Sequence, residues 1–175
     1  MLKGLSVRMG QDKDADSLVK FNMALAWETE RKQLSLPLVN KGVQTLLKNP
    51  KYGFYVVAET CPPYRTFTLR RATENGLGRR ESSEIIGAFM ITFEWSDWRC
   101  GLFWWIQSVY VKPEFRQRGV FRKLYEYLKD KASHESNVCG FRLYVEQSNH
   151  TALSTYEKVG MKKTSYKVCE ELFDK

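Results

Sequence analysis

Apolar residues recur along this chain at two spacings, and the two spacings predict a mixture of strands and helices. Short runs in which apolar residues alternate or follow one another, bounded by turn-forming residues, predict strands. These runs are residues 5–10, 53–60, 84–95, 102–111, 141–147 and 162–173. Residues 102–111 ("LFWWIQSVYV") are nearly all apolar, which is typical of a strand that is buried on both faces.

Apolar residues three and four positions apart predict four helices between these strands. The positions that define the buried sides are Leu18, Phe21 and Leu25 in the first helix and Phe121, Leu124, Tyr125 and Leu128 in the third, which starts at Arg118. The second helix covers residues 39–50 and ends at Pro50. The fourth begins near Asn149, a favourable N-cap, and stops at Gly160.

The predicted order of elements is β-α-α-β-β-β-α-β-α-β, within one domain of residues 1–175. This order predicts an α/β fold, in which a mixed, mostly antiparallel sheet is flanked by helices and has at least one parallel pair late in the chain. Residues 61–83 are polar and rich in turn-forming residues, and they are predicted to form a long basic loop.

The composition of the chain says less about its function than the spacing of its apolar residues says about its fold. The net charge of +8 indicates an anionic partner, but nucleic acid, a phosphate-bearing cofactor and plain solubility all fit it. No run of about 18 apolar residues is present, so no membrane span or membrane partner is predicted. The first residues turn polar at once, without the apolar centre of a secretion signal, so the expected location is the cytoplasm. Four single cysteines and two histidines give no metal-ligand pattern, and no metal site is predicted.

The stretch "FRQRGVF" (residues 115–121) joins the longest apolar strand to a helix and combines arginines with a glycine. The start of a helix offers unpaired N–H groups at the positive end of its dipole, and glycine lets a ligand approach the backbone closely. Arginine adds a fork of donors that suits phosphate. The stretch therefore predicts a phosphate-binding turn, although a tight turn with a solvated basic rim would have the same sequence. It is neither a Walker motif nor a dinucleotide-binding glycine pattern.

A second motif lies on the next predicted helix, on one of its faces. It consists of Asn149, Ala152, Tyr156 and Gly160. Together with the arginine–glycine turn and the strand between them, it resembles the GNAT family of N-acetyltransferases. Members of that family bind the pyrophosphate of acetyl-CoA with an R/Q-x-x-G-x-G/A turn and carry N-x-x-A-x-x-x-Y-x-x-x-G-F on the following helix. This chain departs from the motifs at Phe121 and Met161, and we expect the Phe121 side chain to point away from the phosphates into the core.

The resemblance implies that acetyl-CoA is the co-substrate and that no metal takes part. The cofactor-binding residues that it implies are Val109, Val111, Arg116, Gln117, Arg118, Gly119, Val120, Phe121, Asn149 and Tyr156. Backbone N–H groups of residues 116–121 would hold the pyrophosphate, with charge added by the two arginines. The backbone of Val109 and Val111 would pair with the pantetheine arm where two strands splay apart. Asn149 would hydrogen-bond the arm or a bound water, or would only cap its helix.

The resemblance also implies direct attack of an amine on the thioester in a ternary complex. Tyr156 would protonate the leaving thiolate, although a core tyrosine would fit the same position. The N–H of Val109 would stabilise negative charge on the carbonyl oxygen. Glu94 would accept the proton of the amine. Strand alternation places Glu94 on the less apolar face of residues 84–95, and a bulge there would leave Asp97 or Glu28 as the better candidate.

Carboxylates that lie among tryptophans favour a small cationic amine as the acceptor, with a protein lysine or N-terminus as the alternative. The candidate residues that would bind it are Glu28, Glu30, Trp95 and Asp97. Glu28 and Glu30 would equally suit a solvated helix face. The sequence leaves three other functions open. They are a basic nucleic-acid or protein interaction module, an acyl-CoA-binding domain without catalysis, and an enzyme that transfers a longer acyl chain. No nucleic-acid partner is expected, and a homodimer is compatible with the family.

Overall fold

The structure, a computed structural model, describes residues 2, 4–60 and 83–173. In this part of the chain the strands form one five-stranded sheet in the order β1–β2–β3–β4–β5. The strands are β1 (Leu5–Met9), β2 (Gly53–Thr60), β3 (Glu84–Ser96), β4 (Gly101–Val111) and β5 (Val138–Arg142), and the helices are α1 (Ala15–Glu30), α2 (Leu36–Lys48), α3 (Val120–Ser133) and α4 (His150–Lys158). Neighbours from β1 to β4 are antiparallel, and β4 and β5 are parallel. The predicted mixed, mostly antiparallel sheet flanked by helices is confirmed.

Each face of the sheet is covered by an apolar layer. On one face, here called the α1–α2 face, Leu18 and Phe21 of α1 pack with Val43 and Leu46 of α2 against the sheet. On the opposite face, the α3 face, the fully buried residues include Phe89, Ile91, Ile106, Leu124 and Leu128. Along β3, Ala88 and Met90 belong to the layer on the α1–α2 face, and Phe89 and Ile91 belong to the layer on the α3 face. This alternation is the one that the sequence pattern predicts.

The helices form where the apolar spacing predicts them. The four predicted core positions of α3 are all buried, with exposed fractions from 0 to 9%. α2 begins at Leu36, earlier than predicted, because Pro37 lies in the first turn, where proline costs no helical hydrogen bond. None of the helices in the described ranges is long and apolar enough to cross a membrane.

The last predicted strand is wrong. Residues 162–173 have no strand assignment, and their large apolar side chains are exposed; Tyr166 is 80% exposed and Phe173 is 76% exposed. Alternating apolar residues define a strand only where a neighbouring edge is available for pairing. In the described residues the sheet ends at β5, so this pattern has no partner strand.

The fifth strand is shifted from its predicted position. It covers Val138–Arg142 rather than residues 141–147, because its pairing with β4 starts at Val138 and ends at Arg142. The chain then leaves the sheet, although the apolar pattern continues. The burial predicted for β4 is also only partly correct, since Trp105 and Gln107 on the α1–α2 face are half-buried. The predicted basic loop of residues 61–83 lies, except for Ser83, outside the described residues.

Candidate active site

β4 has one extra residue relative to β3 near its C-terminal end. Ala88 of β3 is opposite Tyr110, whereas Met90 is opposite Gln107, so the register shifts between them. Ser108 has φ +49°, in the left-handed region that a residue with a side chain rarely adopts. A bulge of this kind re-aims the backbone groups around it. It lies next to Val109, one of the predicted cofactor-binding residues.

Beyond the bulge, the edge of β4 that points toward β5 has no strand partner. Pairing with β5 runs from Leu102 to Trp105, and no later residue of β4 pairs with β5 in the described ranges. The N–H of Lys112 donates to the Ile86 carbonyl on β3 at 2.9 Å. Because backbone N–H groups alternate between the two edges of a strand, those of Val111 and Val109 face the β5 side. The predicted splay between these two strands is therefore present, and an amide-bearing arm can pair with this edge.

The turn between β4 and α3 has the backbone geometry of an anion-binding site. Gln117 and Gly119 have φ of +59° and +85°, both in the left-handed region. Gly119 is the N-cap of α3 and Val120 is its first residue, so N–H groups of the first helical turn lack helical acceptors. Arg118 is exposed beside them. A pyrophosphate group fits this combination of a positive helix end, a glycine at its start and a nearby guanidinium.

Arg116 is held by protein partners rather than lying free in this turn. Its Nη2 donates to Glu28 Oε2 at 2.6 Å, and its Nε donates to the Val111 carbonyl at 2.8 Å. The Tyr110 hydroxyl donates to the other oxygen of Glu28 at 3.1 Å. Burial and, after it, the hydrogen bond to the Glu28 carboxylate raise the pKa of Tyr110. Glu28 therefore ties α1 both to β4 and to the turn, a contact that the sequence does not reveal.

Tyr156 of α4 lies against the start of α3. Its ring centroid is 5.3 Å from that of Phe121, which is itself buried in the α3-face core. The expectation that Phe121 points into the core is thus confirmed. The Tyr156 hydroxyl has no hydrogen-bond partner among the described residues. Burial raises the pKa of Tyr156, so its hydroxyl stays protonated at neutral pH and can donate a proton.

Asn149 caps α4, as the sequence predicts. Its Oδ1 accepts a hydrogen bond from the Ala152 N–H at 3.0 Å. Gly160, with φ +94°, follows the end of the helix. Helix capping therefore explains two residues of the motif, Asn149 at the start of α4 and Gly160 after its end. Tyr156 lies between them.

Glu94 lies on the α1–α2 face, as predicted, but it is not an isolated carboxylate. Its Oε1 accepts a hydrogen bond from Arg142 Nη1 at 2.5 Å, and its Oε2 accepts one from the indole N–H of Trp105. The side chains of Glu94 and Arg142 are each 37% exposed. The charge that would attract a cationic amine is therefore already compensated by Arg142.

The position of Glu94 along the sheet limits how it could act on an amine. Glu94 is opposite Phe103, six residues before Val109 on β4, and its carboxylate reaches the indole of Trp105, four residues before Val109. At about 3.3 Å per residue these spacings are about 20 and about 13 Å. A general base must lie within one hydrogen bond, or one bridging water, of the proton that it takes. Glu94 is thus too far from the bulge to touch an amine that reacts there.

Four residues outside the sequence motifs lie near Glu94 or near its hydrogen-bond partner Trp105. They are Trp105, Gln107, Arg142 and Tyr144. Gln107 donates to Thr92 Oγ1 at 2.5 Å and accepts from the Tyr144 hydroxyl at 3.2 Å. Alternation along β4 was a usable signal for Trp105 and Gln107. The parallel register that brings Arg142 opposite Trp105 has no signature in the sequence.

The structure does not bring together the residues predicted to bind the acceptor. Glu28 contacts Tyr110 and Arg116, whereas Glu30 has no ion-pair or hydrogen-bond partner among the described residues. Trp95 alternates onto the α3 face, opposite to Glu94, and is 59% exposed. The Asp97 carboxylate accepts a hydrogen bond from the Trp98 N–H at 2.8 Å in the β3–β4 turn.

A cavity of about 610 Å³ lies between α1 and the sheet, with Tyr110 in its lining. Its lining includes Arg8, Lys20, Phe21 and Lys112, but neither Glu94 nor Tyr156. The described residues contain no group of three or more His, Cys, Asp or Glu side chains placed to hold a metal ion. Volume alone therefore does not locate the reaction, and the candidate site is defined by the bulge, the unpaired edge and the turn.

A bulged strand with an unpaired edge that leads into a glycine turn at a helix start can seat a peptide-like cofactor arm with a phosphate group at its end. Residues 43–161, more than half of the chain, match the model of the acetyltransferase (GNAT) family. The chain belongs to that family and is therefore an acyl-CoA-dependent N-acetyltransferase. No curated protein matches it at a significant level.

Solved structures support the same assignment. The chain is 35% identical to a possible acetyltransferase from Clostridium difficile 630, with a TM-score of 0.78 over 99% of this chain and 100% of that one. A ribosomal-protein-alanine N-acetyltransferase from Brucella melitensis biovar Abortus 2308 is 14% identical, with a TM-score of 0.67 over 97% and 99% of the two chains. A glucosamine-6-phosphate N-acetyltransferase from Arabidopsis thaliana is 18% identical, with a TM-score of 0.65 over 97% and 99%. The last two likenesses show the fold alone.

Proposed function

We propose that this enzyme transfers the acetyl group of acetyl-CoA to the primary amine of a small molecule, by direct attack in a ternary complex. The observation that carries the proposal is the unpaired edge of β4 at its bulge, which runs into the turn before α3. A thioester-bearing arm laid along that edge would bring its phosphates to the start of α3. The reacting carbonyl would then lie near Val109.

In this proposal the turn and the edge of β4 hold acetyl-CoA. The N–H groups of residues 117–121 and the charge of Arg118 bind the pyrophosphate, while Arg116 braces the turn through Glu28. The backbone of Val109 and Val111 pairs with the pantetheine arm, and Asn149 contributes its side chain near the arm. When bound, acetyl-CoA supplies an activated acyl group. The Val109 N–H would stabilise negative charge that develops on the thioester oxygen.

In this proposal the two proton transfers, to the leaving thiolate and from the attacking amine, take place on opposite faces of the sheet. Tyr156 packs with the α3-face core, and we assign it the role of proton donor to the departing thiolate. Its hydroxyl holds its proton at neutral pH, and the burial that raises its pKa also makes it a weaker acid than an exposed tyrosine. Glu94 lies on the opposite face, so the amine would approach from there while the thiolate leaves toward Tyr156.

The amine arrives as an ammonium ion and must lose a proton before it attacks. Because Glu94 is too far away for direct contact, a chain of water molecules would carry this proton from the amine to Glu94. Glu28 is a second carboxylate on the same face, one hydrogen bond from Tyr110. A small cationic acceptor would enter across this face, and the reaction would take place in the cytoplasm, where acetyl-CoA is available.

Two measurements test the proposal. Acetyl-CoA should raise the melting temperature of the protein, because a ligand that binds only the native state stabilises it. Release of CoA thiol from acetyl-CoA should depend on added amine in a panel that includes aminoalkanols, diamines and amino acids. An enzyme that binds acetyl-CoA but releases thiol at the same rate with and without every amine would contradict the proposed reaction.

A further inference from the structure

A pair of side chains that the proposed reaction leaves unused spans the gap between β4 and β5. Tyr144 lies two positions after Arg142, the last residue of β5, and its hydroxyl donates to Gln107 Oε1 on β4 at 3.2 Å. Backbone pairing between the two strands ends at Trp105 and Arg142. The Tyr144–Gln107 hydrogen bond, here called the bridge, therefore connects the two sides of the gap two residues further along β4.

Both members of the bridge are held by further contacts. Gln107 Nε2 donates to Thr92 Oγ1 on β3 at 2.5 Å, which fixes the orientation of the Gln107 amide. The ring of Tyr144 lies beside that of Trp105, with 6.0 Å between the ring centroids. A group that pushed either side chain aside would break at least one of these hydrogen bonds, and that loss is unfavourable.

The bridge lies close to the bulge, where the acyl group would react. Gln107 is two residues before Val109, and two residues of chain separate their Cα atoms by at most about 7 Å. A carbon atom in contact with the bridge stays about 3.5–4.0 Å from the nearest atom. About 3 Å therefore remain between Val109 and that contact, which suits a methyl group rather than a chain.

The direction of the cofactor arm in the proposed function points its acyl end at the bridge. The pyrophosphate would be bound at the start of α3, which follows β4 in the chain. An arm that leads away from this turn along β4 passes Val111 first and Val109 second, against the direction of the strand. Any acyl group beyond the thioester would then continue toward Gln107.

The gap is enclosed on three sides at this point. Ahead of the acyl end, β5 pairs with β4 up to Trp105. On the α3 face, Ile106 is 2% exposed and Phe141 packs against the same core layer. The bridge covers the α1–α2 face. A longer acyl chain therefore meets packed core, paired backbone or the bridge, and the bridge is the part that rests on a single hydrogen bond between the two strands.

We infer that Tyr144 and Gln107 limit the length of the acyl group, so that the enzyme selects acetyl over butyryl and longer groups; the inference rests on the proposed function. An acetyl group ends in a methyl that stops short of the bridge. Each further methylene has to displace one of the two side chains, as an oversized residue does in a packed core. Two residues outside the sequence motifs thus determine the specificity for the acyl donor.

Calorimetry with acetyl-, propionyl-, butyryl- and hexanoyl-CoA tests this inference without an acceptor. We expect the wild type to bind butyryl- and hexanoyl-CoA at least about fivefold more weakly than acetyl-CoA, which corresponds to one lost neutral hydrogen bond. With aminohexanol as the fixed acceptor, kcat/KM should fall at least about tenfold from acetyl- to butyryl-CoA. The larger effect is expected because a displaced thioester also loses its hydrogen bond to the Val109 N–H in the transition state.

The variant Tyr144→Ala assigns the preference to the bridge. Because it opens the α1–α2 side of the gap, we expect its affinities and its kcat/KM values for acetyl- and butyryl-CoA to agree within about threefold. Tyr144→Phe, which removes only the hydroxyl, should give an intermediate preference. Tyr166→Ala, the same change at a tyrosine that is 80% exposed, is the control and should keep the wild-type preference. The melting temperature of each variant shows whether folding is intact.

Two outcomes would overturn the inference. One is a wild type that uses acetyl- and butyryl-CoA with equal kcat/KM, and the other is a preference for acetyl that Tyr144→Ala leaves unchanged. If aminohexanol supports no turnover, the affinities decide in the same way. The proposed function is judged separately, by the melting shift with acetyl-CoA and by amine-dependent thiol release, and it survives both outcomes. A protein that binds none of the four acyl-CoA compounds would contradict the proposed function and the inference together.

Discussion

At the scale of single residues, the hydroxyl of Tyr156 is the group whose removal separates chemistry from binding. Tyr156→Phe keeps the ring that packs on Phe121 and removes only the proton donor. We expect kcat to fall by about 10²- to 10⁴-fold, the usual contribution of a general acid, with acetyl-CoA affinity nearly unchanged. Steady-state kinetics and calorimetry measure the two effects. Wild-type turnover in this variant, under conditions where chemistry is rate-limiting, would mean that water or another group protonates the thiolate.

The ion pair with Arg142 and the distance from the bulge both bear on the role predicted for Glu94. Glu94→Gln keeps the shape and can still accept a hydrogen bond from Arg142, but it loses the negative charge. With aminohexanol as acceptor, we expect a lower kcat/KM whose deficit shrinks as pH rises, because free amine then replaces the amine that Glu94 deprotonates. The same pH series with Glu28→Gln compares the second carboxylate.

The control for both variants is Glu126→Gln, in an exposed ion pair on α3, which should follow the wild-type pH profile. If Glu94→Gln also follows that profile for every amine, Glu94 contributes only to the surface around Arg142. A pH-dependent deficit in Glu28→Gln alone would transfer the proton-accepting role to Glu28.

At the scale of elements, the start of α3 is where backbone conformation and charge can be varied independently. Asp and Asn at position 119 have nearly the same size, and both tolerate the left-handed conformation of φ +85° better than most residues. Gly119→Asp should bind acetyl-CoA at least about tenfold more weakly than Gly119→Asn, because a like charge beside the phosphates is unfavourable by several kcal/mol. Calorimetry on the two folded variants measures the difference. Equal affinities would place the phosphates elsewhere.

The elements also show which parts of the molecule could be predicted from the sequence. α3 and α4 were predictable because their signals are local: apolar spacing, Asn149 as a cap, and glycines at the helix ends. β5 and the expected last strand were misplaced because pairing decides a strand, and pairing is between residues far apart in sequence. The same reason hid Arg142, whose place beside Glu94 depends on the parallel register of β5 against β4. The motif residues of the candidate site were predictable, and the residues around Glu94 were not.

At the scale of the whole molecule, one ion-pair network joins the first strand, the entry to α1 and β2. Arg8 donates to both oxygens of Asp14, at 2.6 and 3.0 Å, and to Glu59 at 2.9 Å. Asp14 is 2% exposed. Burial alone would raise the pKa of Asp14, but the hydrogen bonds from Arg8 and the Gln11 N–H, with the charge of Arg8, outweigh it and lower the pKa. The pKa of Glu59 is lowered in the same way, against its own burial, by Arg8.

This network links the stability of the fold to pH. A carboxyl group whose pKa is lower in the folded state stabilises that state fully above its unfolded pKa of about 4, and the stabilisation is lost as pH falls through the folded pKa. Asp14→Asn leaves Arg8 with Glu59 alone, so we expect a loss of about 3 kcal/mol in the free energy of unfolding at neutral pH. Its stability should also decline less steeply than that of the wild type below pH about 4. Urea unfolding of both proteins across this range measures the effect, with Asp16→Asn, at an exposed position in the first turn of α1, as the control that should lose no more than about 1 kcal/mol. Parallel acid profiles for wild type and Asp14→Asn would mean that other carboxylates control the acid unfolding of this enzyme.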